Sequence, residues 1–322
     1  MKTVNLVIPF YNEEAALAHT FHAIETELKE LPYRFEVIAV NDGSTDGTLN
    51  ALKRVNCAFP TTIIDLSRNF GKEAALSAGL SASRGDAVIP LDADLQDPPF
   101  LIVEMLAKWE EGYEVVLAKR VDRSSDSYLK RRSAAGFYQI INKLSEVPIP
   151  ENVGDFRLMD RCVVNTLNSL GESRRFMKGL FAWAGFRTAT VTYVRPERKH
   201  GDTKFNGWRL WNLALEGITS FSTAPLRVWT YIGFIVSVAS VLYAGIIMIK
   251  TLWFGVDVPG YASLMCSILL MSGIQLMGLG VLGEYLGRTY IESKRRPTYI
   301  IRETAVMPAR EPAQGANAVS KD

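Results

Sequence analysis

The 322-residue chain has little cysteine: Cys57, Cys162 and Cys266 stand alone, with no CxxC pair and only three histidines in the whole sequence. A disulfide framework and a structural zinc site are therefore excluded as organising features. Net charge is nearly absent too, 36 Lys and Arg against 34 Asp and Glu leaving +2, which speaks against nucleic acid as a partner. Neither GxGxxG nor GxxxxGK[ST] occurs, so the dinucleotide-binding and P-loop ATPase classes have no support. Met1 leads into a strand-like run rather than a basic and then apolar leader, so no signal peptide is expected.

What is abundant is apolar residues, 48% of the chain, concentrated in two charge-free runs at 228–249 and 260–283. Each meets the roughly 20 residues that a bilayer core requires, so both read as transmembrane helices. The joint at 250–259 is too short for a domain, which makes the pair a hairpin with both flanks on one side. Arg227 precedes it, and Arg288, Lys294, Arg295 and Arg296 follow. The positive-inside bias places both flanks in the cytoplasm, so the chain is expected to be a multi-pass protein of the inner (plasma) membrane. Before the hairpin, 207–227 is amphipathic, with Trp208, Trp211 and Phe221, and reads as an interfacial helix. The expected organisation is an N-terminal cytoplasmic domain at 1–206, the interfacial helix at 207–227, and a hairpin at 228–286 with spans at about 228–250 and 260–284. A cytoplasmic tail follows at 287–322, expected to be disordered beyond Thr304.

The first 120 residues alternate short apolar runs with helical patterns, the signature of an α/β fold with a mostly parallel, Rossmann-like sheet. Candidate strands are 3–9, 35–41, 61–65, 87–91 and 114–118; candidate helices are 13–30, 47–56, 71–82 and 99–111. A basic helix at 128–144 and further strands at 155–160 and 191–195 complete the domain. Ligands of such sheets bind outside the carboxyl ends of the strands. Those ends are polar here: Tyr11, Asn12 and Glu13; Asp42, Gly43 and Ser44; Arg68 to Lys72; Asp92, Ala93 and Asp94; Lys119 and Arg120.

Asp92, Asp94, Gln96 and Asp97 lie within six residues directly after an apolar strand. Hard oxygen ligands at that density suit Mg²⁺ or Mn²⁺, which bridges to substrate phosphates and would neutralise a departing diphosphate. Asp97 has a simpler alternative, favouring the N-terminus of the helix that follows. Asp42 could accept the imide N–H of a uracil ring, with Pro9, Tyr11 and Glu13 completing a base pocket. The alternative for this segment is a turn and helix cap. Arg120, the run Lys130, Arg131 and Arg132, and the pair Arg198 and Lys204 are candidates for binding donor diphosphate and acceptor phosphate.

Together these residues resemble the family-2 glycosyltransferases of GT-A fold, in the branch of dolichyl-phosphate-mannose synthases. VIPFYNEE, VNDGSTDGT, LSRNFGKEAALSAGL, PLDADLQDPP, GDFRLMDR and GVLGEYLGRTYIE carry the resemblance over nearly the whole chain. NVGDFRLM and the stretch from KFNGWRLWN to RVWTYIG are similar to those of bactoprenol glucosyltransferases of O-antigen (lipopolysaccharide) modification. The resemblance implies a metal on Asp92, Asp94 and Gln96, and a nucleotide-sugar on Pro9, Tyr11, Glu13, Asp42, Lys72, Asp92, Ala93, Asp94, Arg120, Arg198 and Lys204. It further implies an acceptor phosphate on Arg131, Arg132 and Ser133, Asp155 as the catalytic base beside Asp94 and Arg131, and a homo-oligomer, commonly a tetramer. No QxxRW follows the domain, which argues against a processive synthase. The expected activity is inverting transfer of glucose from UDP-glucose to undecaprenyl (polyprenyl) phosphate. The alternatives are another donor (GDP-mannose, UDP-N-acetylglucosamine or a formamido-arabinose nucleotide), a lipid-sugar flippase, or an inactive membrane scaffold.

Overall fold

The computed structural model describes residues 1–120, 153–172, 177–193, 224–254 and 260–310. They form two compact units, one built from the N-terminal domain together with residues after 296, the other from the long helices.

The first unit is built on β1 (Thr3–Phe10), α1 (Glu14–Leu28), β2 (Arg34–Asn41), α2 (Thr48–Leu52), β3 (Thr61–Leu66), α3 (Lys72–Ala82), β4 (Ala87–Pro90), α4 (Leu101–Glu110) and β5 (Val115–Arg120). It continues with β6 (Val153–Asp160), α5 (Arg161–Ser169), α6 (Met177–Trp183) and β7 (Thr188–Tyr193), and closes with β8 (Ile301–Met307). One sheet carries all eight strands in the order β7-β5-β6-β4-β1-β2-β3-β8. The inner strands are apolar over most of their length because both faces are covered. On one face Val4, Leu6, Ile8 and Phe10 of β1 join Leu17, Phe21, Ile24 and Leu28 of α1 and Ile102 and Met105 of α4 in a core. On the other, α3 comes so close that a Cβ on Gly79 would lie 2.3 Å from Val7 Cγ1.

β1 to β4 are mutually parallel, as the alternating pattern predicts. The order 3-2-1-4 puts a topological switch point between β1 and β4, where open α/β sheets bind ligands. Two strands depart from that pattern. β6 runs antiparallel between β4 and β5, so its first residues, including Asp155, lie at the ends from which the parallel strands leave the sheet. β8 runs antiparallel along β3. Residues 301–307 were expected in the tail, with disorder beyond Thr304; they are instead an edge strand, because β3 would otherwise present a row of unpaired backbone groups.

The second unit contains α7 (Ala224–Phe254) and α8 (Tyr261–Ser293). α8 continues past 286, so the boundary expected there falls inside a helix. Among the described residues no helix is long and apolar enough to cross a membrane, and the two expected spans are not established by them. Several side chains inside α7 and α8 lie outside the described residues. The large apolar side chains that are described are mostly exposed, among them Phe234, Ile235, Leu252, Trp253 and Leu276. The basic helix at 128–144 and nearly all of the interfacial helix at 207–227 lie outside the described residues.

Candidate active site

The turn after β4 is the centre of the site. Leu95 N donates to Asp92 O at 3.1 Å, and Leu95 takes a left-handed φ of 50°, unusual for a branched side chain. That reversal brings Gln96 back onto Asp94: Gln96 N donates to Asp94 Oδ1 at 3.2 Å, and its side-chain amide donates to Asp94 Oδ2. Strained backbone of this kind persists where the surroundings over-determine it. Here the anchor is Thr20 of α1, buried, whose hydroxyl donates to Ala93 O at 2.6 Å.

Lys72, the first residue of α3, bridges two strand ends. Its ammonium lies 2.7 Å from Asp92 Oδ1 and 2.7 Å from Asp155 Oδ2. Burial alone would lower this lysine, but the Asp155 and Asp92 carboxylates beside it hold it above its ordinary value. Burial raises the Asp92 carboxyl, with Lys72 pulling against it and Asp155 and Asp97 adding to it. The two directions pull oppositely on whether the pair is charged, and the 2.7 Å contact decides for an ion pair.

Asp155 stands two residues before Arg157 in β6. Its carboxylate meets Lys72, while Arg157 donates to main-chain oxygens, Gly154 O at 2.7 Å and Asp155 O at 3.4 Å, and lies over the Phe181 ring. Burial pulls the Arg157 guanidinium down to about 10, still charged at neutral pH.

The β1 and β2 ends are laced together. Asn12, at a φ of 56°, donates its N–H to Ser44 Oγ at 3.1 Å and accepts from Thr45 N at 2.8 Å. Glu13 N donates to Thr48 Oγ1 at 3.0 Å. Burial raises the Glu13 carboxyl, and the charges of Asp94 and Asp46 raise it further. Tyr11 is 46% exposed, so its ring is free to stack on a base, and Pro9 lies one residue before the end of β1, paired with Val40.

Asp42 is buried, and both its oxygens already accept backbone donors, Phe70 N at 2.7 Å and Gly71 N at 2.9 Å. Its established contact is thus with the loop between β3 and α3. Burial nonetheless raises its carboxyl, against those two hydrogen bonds.

Asp97 is not the simple helix-terminus group weighed above. It is 3% exposed and accepts from the Tyr193 hydroxyl, while an Arg120 Nη lies 3.5 Å away. Arg120 Nε in turn donates to Tyr193 Oη at 3.0 Å. Burial and the Asp97 carboxylate push the Tyr193 phenol up to about 12. Arg120, expected on phosphate, is thereby committed to its neighbours.

Arg131, Arg132, Ser133, Arg198 and Lys204 lie outside the described residues. Of the expected site residues that are described, Lys72, Asp92 and Asp155 are joined by direct contact, as are Asp94 and Gln96. Thr20 and Tyr193 support the site without having been singled out; Asn12 carried a signal, standing in the polar stretch after β1.

Among the described residues no group of three His, Cys, Asp or Glu is placed to hold a metal. The donor set still fits a divalent cation, since Gln96 Oε1 is buried without a hydrogen-bond partner among the described residues, on a side chain held against the Asp94 carboxylate. Mg²⁺ is commonly held by one or two carboxylates with the remaining positions filled by water and substrate phosphate.

Residues 5–167 match glycosyl transferase family 2, and residues 224–289 match the GtrB C-terminal hairpin. The chain is 54% identical over 301 residues to the bactoprenol glucosyl transferase of Shigella phage SfV, covering 93% of this chain and 98% of that protein. It is 52% identical to the prophage bactoprenol glucosyl transferase homolog of Escherichia coli K12 over the same shares. Against the uncharacterized glycosyltransferase sll0501 of Synechocystis it is 52% identical over 303 residues, 93% of this chain and 95% of that protein.

Proposed function

Because this chain belongs to glycosyl transferase family 2, we propose that it moves glucose from UDP-glucose to bactoprenol (undecaprenyl) phosphate, supplying a lipid-linked sugar for modification of a cell-surface polysaccharide such as O-antigen. The observation that carries the reading is the joining of Asp92 of the post-β4 turn to Asp155 of β6 through Lys72, at the switch point of the sheet. Glucose as the sugar, and the polyprenyl acceptor, are supported by the bactoprenol glucosyl transferases at 52–54% identity over nearly the full length.

Asp92, Asp94 and Gln96 would hold Mg²⁺ or Mn²⁺, which when bound offsets the charge of the diphosphate. An oxygen of the acceptor phosphate attacks the anomeric carbon; the bond from that carbon to the diphosphate breaks, UDP leaves with the electron pair, and the configuration inverts from α to β. The acceptor needs no strong base, since the second pKa of a phosphate monoester is about 6. Asp155 is moreover paired with an ammonium at 2.7 Å, which weakens it as a base. We therefore assign it to orienting substrate. Tyr11 stacks on the base, and Arg131, Arg132, Ser133, Arg198 and Lys204 bind phosphate.

The acceptor's chain resists leaving a bilayer at about 0.8 kcal/mol per buried CH₂, so the enzyme must work at the head-group plane. We assign α7 and α8 to a membrane hairpin, from their charge-free runs at 228–249 and 260–283 and their exposed apolar side chains, with the catalytic domain and both termini cytoplasmic and the chain a homo-oligomer.

The test is transfer of radiolabel from UDP-glucose, UDP-galactose, UDP-N-acetylglucosamine and GDP-mannose to undecaprenyl phosphate by detergent-purified protein, with Mg²⁺ and with EDTA. Lipid label from UDP-glucose alone, lost in EDTA, is expected. Label from a different donor overturns glucose, and none from any donor overturns the activity.

A further inference from the structure

β8 is remote in sequence from the loops of the site, yet it is built into one of them. Ser67 N donates to Ile300 O at 2.9 Å, and Arg302 Nη2 donates to Ser67 O at 2.5 Å, so the residue that opens the loop after β3 is held at both its N–H and its carbonyl. Arg302 Nη1 lies 3.4 Å from Asp65 Oδ2. Asp65 is 2% exposed, and its other oxygen accepts Asn41 Nδ2 at 2.7 Å, which ties the same arginine to the end of β2. The β3 and β8 register shifts at this point, between Asp65 and Leu66.

Everything the loop then delivers belongs to the site. Phe70 and Gly71 offer their N–H groups to Asp42, and Lys72 follows with its bridge to Asp92 and Asp155. A planar guanidinium can span a carboxylate and a carbonyl at once, which an ammonium does poorly.

We infer that Arg302 is a positioning residue for the donor site, setting the loop at 67–71 through Asp65 and Ser67 without touching substrate. The inference rests on the reading that this crevice takes a uridine nucleotide. It makes the chain beyond α8 part of the donor site.

The test uses the full-length protein in detergent: calorimetric titration with UDP, transfer kinetics with UDP-glucose, and melting, for wild type, Arg302→Ala, Arg302→Lys and Glu303→Ala. Glu303 is the control, since it sits on the same strand and pairs with Lys53 at 2.7 Å away from the loop. Arg302→Ala is expected to weaken UDP binding and raise the donor KM by about fivefold to twentyfold, with kcat within about twofold of wild type. Arg302→Lys recovers part of the affinity, and Glu303→Ala leaves it unchanged. Should Arg302→Ala fail to fold, the donor KM of Arg302→Lys carries the test. Wild-type UDP affinity in the arginine variants overturns the inference, as does an equal loss of affinity and melting temperature in Arg302→Ala and Glu303→Ala. Wild-type protein that does not bind UDP overturns the nucleotide reading itself, and the inference with it.

Discussion

Replacing Lys72 by methionine removes one charge and leaves two carboxylates facing each other. In the native protein the ammonium sits 2.7 Å from each, with side-chain exposures of 43% for Lys72, 33% for Asp92 and 15% for Asp155. Losing one partner of a fully buried pair costs about 3–5 kcal/mol, and losing an exposed pair at most about 1. These exposures lie between the limits, so the expected cost is about 2 kcal/mol, a factor of about thirty in the folding equilibrium. For a domain of this size that corresponds to about 4–8 °C in melting temperature. The assay is thermal melting of detergent-purified protein in EDTA and in Mg²⁺, beside transfer of glucose. Mg²⁺ should raise the melting temperature of Lys72→Met more than that of wild type, because the ion relieves a repulsion that the ammonium no longer relieves. Turnover in Mg²⁺ should fall as Asp155 loses its anchor. If Lys72→Met melts with wild type in EDTA and gains no more from Mg²⁺, the bridge does not hold these strand ends together and the reasoning is refuted.

Other expectations concern single groups. Asp94→Asn should abolish transfer while leaving the protein folded, and wild-type activity in that variant would sink the metal assignment. Glu13 carries a carboxyl raised above its ordinary value by burial and by Asp94 and Asp46, so its ionised form costs stability above the folded pKa and none below the usual one. Glu13→Gln should therefore melt higher than wild type at neutral pH, by a margin that shrinks as pH falls; a margin independent of pH counts against the cause given. Gly43 has a φ of 61°, and a Cβ there would lie 2.3 Å from Arg68 C and 2.4 Å from Asn69 N. Gly43→Ala should cost about 1–3 kcal/mol in a urea titration and weaken UDP binding by displacing the loop.

Much of the catalytic domain was legible from sequence because parallel strands covered on both faces leave short, mostly apolar runs, and the runs that became β1 to β5 were found to within two residues at each end. The short acidic turn after β4 was legible for the same reason, standing where a buried strand stops. The hairpin segment was legible as two long charge-free runs, which became two long helices.

Partnership was a different matter. Periodicity says that a stretch is a strand but not which neighbour it takes. Nothing in residues 153–160 announced that β6 would run antiparallel between β4 and β5, yet that insertion carries Asp155 to Lys72 and Asp92. Asp97 read as a helix-terminus group because its sequence neighbours are a turn and a helix, while its partner Tyr193 lies 96 residues away. The segment Ile301–Met307, with Arg302 and Glu303 among its apolar residues, read as the start of a polar tail; the open edge of β3 made it a strand. Local composition by itself determined which segments of this protein are helix, strand or polar turn wherever burial is local, as in β1 to β5, because burial and backbone preference act residue by residue. Only the tertiary structure decided which charges meet, because that depends on strand order and on an edge whose hydrogen bonds need a partner.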